Sequence, residues 1–178
     1  MKLYLKTLIL TLALFATTGV NAGGVYQEPT DFIEQVFENN PPKAKVLWLD
    51  KDLKTQITEI LDHKYNALRI RYWQQDKRTA WVLEEIGKEK LITAGIVINK
   101  QKIEQVKVLV FRESRGWEVR HDFFTDQFKQ AGIEENNRLD KTIDNISGAT
   151  LSVRAIRKLA TIALLLDSQV QNKQIEQK

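Results

Sequence analysis

The sequence predicts an α+β domain, because three patterns follow one another along it: two segments of helical period, a long stretch of period two, and a final apolar helix. The expected architecture is an antiparallel sheet of about four strands, packed with N-terminal helices and a long C-terminal helix. Each element can be justified from its residues in turn.

The chain opens with MKLYLKTLILTLALFATTGVNAGG, which has a basic start at Lys2 and Lys6, an apolar run from Leu8 to Ala16, and small residues at Val20 and Ala22. This is the pattern of a secretory signal cleaved after Ala22. The apolar run falls short of the roughly 20 residues that cross a bilayer. The expectation is an exported protein, periplasmic or otherwise extracytoplasmic, soluble after cleavage and without stable membrane insertion. Removing 22 of the 178 residues leaves 156, a size suited to one core.

Asp31 to Asn39 places Phe32, Ile33, Val36 and Phe37 at spacings of three and four, which predicts a short helix capped by Asp31 or Thr30 and ended by Pro41-Pro42. Asp52 to Lys64 repeats the device, with Leu53, Ile57, Ile60 and Leu61 on one face. From Ala67 to Arg112 the period is two. Leu68, Ile70 and Tyr72 alternate with Arg69, Arg71 and Trp73, and the runs TAWVLEEI, KLITAGIVI and IEQVKVLVF follow. Four strands are expected, half exposed as a sheet, with NKQK as a turn and a bulge where Ile103 departs from the alternation of Val106, Val108 and Val110. A short helix from Asp122 to Gln130, ended by Gly132, comes next. Ile156, Leu159, Ala160, Ala163 and Leu166 then give the last helix a wide apolar face, and the polar run from Gln169 is expected to fray. The expected segments are a leader over 1–22, N-terminal helices and a first strand over 23–78, the domain core over 79–167, and a polar tail over 168–178.

Composition excludes several chemistries. There is no cysteine, so no disulfide and no thiolate site. With Lys2 and Lys6 removed, the balance of 27 basic to 23 acidic residues narrows to an excess of two, which does not suggest a nucleic-acid partner. Two histidines, His63 and His121, are too few for a zinc site without carboxylate help, and no H-E-x-x-H or G-x-S-x-G is present. His63 is expected to be solvated near a helix end. No metal is expected, and any chemistry would come from an organic cofactor.

The stretch DNISGATLSVRAIRKLATIALLL, from Asp144 to Leu166, offers a place for one. Gly148 and Ala149 allow a bulky group to approach the backbone between Ser147 and Thr150. The following helix presents free N–H groups and the positive end of its dipole, which suits a phosphate. Equally, Ser147 or Thr150 is an N-cap and the small residues make a tight turn.

Asp144, Ser147, Gly148, Ala149 and Thr150 meet every fixed position of a signature that resembles that of the FMN-binding domain family, Asp-x-x-Ser/Thr-Gly-Ala-Thr/Ser. That family includes the flavin subunits of the sodium-pumping quinone reductase and the Rnf complex, and small exported flavoproteins. The resemblance implies FMN joined by a phosphoester to Thr150, placed there by a flavin transferase that uses FAD. Upstream, Glu113 and Gly116 match the family's Glu-Thr-Pro-Gly segment, while Ser114 and Arg115 depart from it. The similarity extends over about Thr79 to Leu166. Within that frame Asp144 orders the turn or assists the transferase, or is an exposed loop carboxylate; Ser147 bonds the phosphate or caps the helix. Trp117, Phe123 and Phe124 offer an apolar wall for the ring, with core packing as the competing role. Arg120 and His121 balance charge on a reduced flavin or are simply solvated. The functional expectation is an exported electron-transfer flavoprotein, a carrier rather than a stand-alone enzyme, relaying electrons between redox partners such as a cytochrome or a membrane flavin reductase. The alternatives are a flavin-dependent reductase of a small exported substrate and a non-redox exported binding module.

Overall fold

The computed structural model describes residues 24–176, so the expected signal sequence lies outside the described residues. The architecture is α+β, built on one antiparallel sheet of six strands rather than four. In chain order the elements are β1 (Gly24–Val25), α1 (Pro29–Val36), β2 (Lys45–Trp48), α2 (Lys51–Leu61), β3 (Arg69–Gln75), β4 (Arg78–Ile86), β5 (Leu91–Asn99), β6 (Lys102–Phe111), α3 (Asp122–Thr125) and α4 (Thr150–Glu176). The sheet order is β1-β6-β5-β4-β3-β2. The two additional strands are short edges, and only Leu47 of β2 turns inward.

Both helices preceding the main sheet start differently from expectation or one residue earlier. Pro29 occupies the first turn of α1 and Glu28 precedes it, with no side-chain cap from Thr30 or Asp31. The helix stops where Glu38 and Asn39 take left-handed φ angles of 54° and 61°. In α2 the cap is Asp50, whose carboxylate accepts from the Leu53 N–H at 2.9 Å.

The central strands are covered on both faces, which corrects the half-exposed sheet. On one face α1 sets Phe32, Ile33, Val36 and Phe37 against Ala80, Val97, Leu109 and Val110. On the other, α2 and α4 cover Trp81, Leu83, Ile96, Ile98 and Phe111. Gly95 is where α1 comes closest, because a Cβ there would stand 2.5 Å from the Phe32 ring. Tyr72 and Trp81, paired across β3 and β4, stack at 5.0 Å. The expected bulge is present: Val97 pairs with Gln105 but Ile98 with Ile103, leaving Glu104 extra. A second falls at Leu109, so Leu109 and Val110 both reach the α1 face. Lys100 and Gln101, with φ of 52° and 61°, close the β5–β6 hairpin as a two-residue turn.

The segment after β6 also departs from expectation. A 3₁₀ turn over Trp117–Arg120 leads into α3, and a second over Asp126–Phe128 replaces the rest of the expected helix. Gly132 does not cap it; its N–H donates to Asp140 Oδ1 at 2.7 Å. At the other end of the fold α4 continues to Glu176 with Val170 buried, so the polar run from Gln169 extends the helix instead of fraying.

Two polar groups under the helices are held by partners remote in sequence. His63 is not merely solvated: its Nε2 lies 3.0 Å from both carboxylate oxygens of buried Glu85. Asp167 of α4 is fully buried. Its Oδ1 accepts from Thr79 Oγ1 at 2.7 Å and from Gln171 Nε2 at 3.2 Å, while Oδ2 has no partner among the described residues. Burial raises the Asp167 pKa above the ordinary 3.8, and the two hydrogen bonds only partly oppose it. Stability from this group is therefore full below pH 3.8 and lost as the pH climbs through its folded value. Asp167→Asn keeps an acceptor and removes the charge, so it should stabilise the fold by about 1 kcal/mol at pH 7 and by nothing below pH 3.8. Paired thermal melts at the two pH values check this.

Candidate functional site

The site is built where the 112–117 loop meets the start of α4. Gly116 has a φ of 85°, and a Cβ there would lie 2.5 Å from Ser152 Oγ and 3.5 Å from Ala149 Cα. Only glycine allows both the left-handed turn and this approach. The loop is thereby pressed against the first turn of the helix. Trp117, the next residue, is half-buried beside it.

The turn before α4 is narrow and local. Ala149 N–H bonds Ile146 C=O at 2.9 Å, and Val153 N–H bonds Ala149 C=O at 2.9 Å, so Ala149 stands at the helix threshold. Ala149 is buried while Ser147, Gly148 and Thr150 face outward. Gly148 takes a φ of 81°, and nothing lies within 4 Å of where its Cβ would be. The small residues are thus not there to relieve packing at Gly148. They leave open space over a helix N-terminus.

Thr150 is the first residue of α4, with an exposed hydroxyl that accepts from Asn145 Nδ2 at 3.1 Å. Asp144 is also exposed, and its backbone N–H donates to Gln127 Oε1 at 2.7 Å. Gln127 donates in turn to Phe123 C=O at 3.4 Å, so one side chain ties the motif to the aromatic segment. Neither Asn145 nor Gln127 stands at a fixed position of the signature, and sequence reasoning passed over both.

The aromatic residues separate into two groups. Phe124 is fully buried and packs edge-on against Phe128 at 5.4 Å, so it belongs to the core and not to a ligand wall. Phe123 is 62% exposed and stacks with His121 at 6.1 Å, and His121 meets Trp117 edge-on at 5.4 Å. The Arg120 guanidinium lies 4.9 Å from the Trp117 ring and 4.5 Å from Tyr26. Trp117, His121 and Phe123 thus form a chain of ring contacts from the half-buried Trp117 to the exposed Phe123, with the Arg120 cation lying against Trp117 at its inner end.

Glu113 serves a different purpose. It is buried, and its Oε1 accepts the backbone N–H groups of Lys88, Glu89 and Lys90 at 2.5, 2.6 and 2.9 Å. The carboxylate therefore holds the β4–β5 connection and is not directed at Thr150. Burial works to raise its pKa, but the three N–H donors and the nearby Lys88 charge bring it below the ordinary 4.5.

Among the described residues no cluster of three His, Cys, Asp or Glu side chains is suited to a metal, and no helix is long and apolar enough to cross a membrane. The open turn, the positive helix end and the adjacent aromatic surface fit a phosphate-bearing aromatic cofactor. Residues 87–165 match the family model described as the FMN-binding domain. That segment runs from the β4–β5 connection to the middle of α4 and contains Glu113, Gly116, Trp117 and the whole Asp144–Thr150 turn. No curated protein and no solved structure matches the chain.

Proposed function

We propose that this chain, whose residues 87–165 match the FMN-binding domain, is a flavin-binding protein and acts as an exported electron carrier with FMN joined covalently to Thr150. The observation that carries this reading is the exposed Thr150 hydroxyl, set on the first turn of a 27-residue helix beside an uncrowded Gly148. The first N–H groups of α4, ahead of the Val153 N–H that closes on Ala149, would hold a phosphate there. Ser147, three residues before Thr150, is exposed as well. Trp117, His121 and Phe123 would pack against the ring, and Arg120 would supply positive charge beside it.

FMN exchanges electrons one or two at a time, so it links two-electron donors to one-electron carriers. The chain's own residues would hold the group and leave an edge exposed to a partner. Export is supported by the leader-like N-terminus, and a covalent bond prevents loss of the cofactor outside the cytoplasm. The partners in this reading are a flavin transferase during maturation, then a cytochrome or a membrane flavin reductase. Arg154 and Arg157, further along α4, line a cleft of about 740 Å³ with Arg138, Lys141 and Lys158, and since Glu59, Glu134 and Asp140 line it too, its basic excess is modest.

The test is the intact mass of protein exported together with a flavin transferase, with peptide mapping. A gain equal to FMN less one water on the Thr150 peptide supports the reading. An unmodified chain, under conditions that flavinylate another member of the family, overturns it.

A further inference from the structure

Asn145 occupies a position that the signature leaves open, yet its side chain is the one that meets the Thr150 hydroxyl. The Nδ2 donor stands 3.1 Å from Oγ1. Both residues are exposed, so the bond does not rescue a buried polar group, and water would replace it at little cost to folding. Its consequence is directional. Thr150 is β-branched and already fixed in the helix, which restricts χ1. A donor on one lone pair of Oγ1 then leaves the other lone pair and the proton turned away from Asn145.

We propose that Asn145 is a positioning residue for covalent modification of Thr150: its amide holds the hydroxyl in the attacking orientation and stabilises negative charge that develops on Oγ1. This rests on the attachment reading given above. In the reaction Oγ1 forms a bond to the flavin-side phosphorus of FAD. The bond from that phosphorus to the bridging pyrophosphate oxygen breaks, AMP departs with that oxygen, and the hydroxyl proton passes to a base of the transferase. No electrons change hands. An amide suits the role because it donates a hydrogen bond and does not titrate. Asp144, by contrast, is held through its backbone N–H by Gln127, and its side chain makes no bond to Thr150. Asn145 is not among the residues with left-handed φ, so replacing it imposes no backbone strain.

The experiment measures FMN incorporation by intact mass, using purified flavin-free protein, a flavin transferase and FAD, with initial rates taken over a range of acceptor concentration. Asn145→Ala should lower kcat for incorporation about 3- to 10-fold, the scale of one lost hydrogen bond, with KM for the acceptor protein and the melting temperature unchanged. Asn145→Asp, of the same size but without the donor, should be at least as slow. An unchanged kcat in Asn145→Ala, or a raised KM in its place, overturns the proposal and assigns the side chain to transferase docking. Faster incorporation in Asn145→Asp overturns it by assigning a proton acceptor at this position. Failure of the wild-type protein to accept FMN removes the attachment reading itself, a result distinct from either.

Discussion

A Thr150→Ala protein produced beside a flavin transferase should contain no acid-stable flavin and show the unmodified mass, while its melting temperature stays close to that of the flavin-free wild type. The reason for the second half is local. Thr150 is exposed, and alanine is the better helix former, so the substitution removes one exposed hydrogen bond and improves propensity by a comparable few tenths of a kcal/mol. Loss of flavin would then report the missing oxygen and not a missing fold. Thr150→Ser supplies the complementary case. It restores the nucleophilic oxygen without the γ-methyl that limits χ1, so modification should return, at a reduced rate. Stoichiometric acid-stable flavin in Thr150→Ala would place the attachment on another residue, and Ser147 would be the first to examine.

The parts of this site legible in the sequence are the local ones. The Asp144–Thr150 turn is contiguous, and its shape depends on small residues and a helix start, both of which one-dimensional pattern displays. The bulge in β6 was legible for the same reason, since Ile103 and Val106 have opposite parity but share the core face. What escaped is mostly non-local. β2 is only four residues long and follows Pro41-Pro42, so it lacks the run of alternation that marks a strand. The burial of the sheet on both faces had a signal in the uninterrupted apolar run of β5, but it needed α1 to be placed over Gly95 and Val97 to be recognised. Glu85 lies 22 residues from His63 and Thr79 lies 88 residues from Asp167, distances at which spacing carries no information. Asn145 is near Thr150 in sequence, but the contact depends on the fold of the turn and a rotamer. A signature motif names residue types at fixed positions, and the side chain that bonds the hydroxyl is at one of the others.

Glu113→Ala should destabilise the protein by about 3 kcal/mol and, through the loop it anchors, loosen the approach of Gly116 to α4. The magnitude follows from the geometry. One buried oxygen accepts three backbone donors, and hydrogen bonds to a charged acceptor are the stronger kind. Lys88, Glu89 and Lys90 are exposed, so water recovers part of the loss when the carboxylate is removed. Gly87 adds a steric requirement, because a Cβ there would lie 2.9 Å from the same Oε1. The sign of the pH dependence is fixed by the direction of the shift. With its folded pKa below 4.5, Glu113 contributes stability that is present above that value and fades as the pH falls through the folded one. The gap in melting temperature between wild type and Glu113→Gln should therefore be widest near neutral pH and narrow in acid, with the wild type the more stable protein, the opposite sign to that expected for Asp167→Asn. A gap independent of pH would show that the negative charge is not what the three N–H groups require, and that shape alone holds the connection against the loop leading to Gly116.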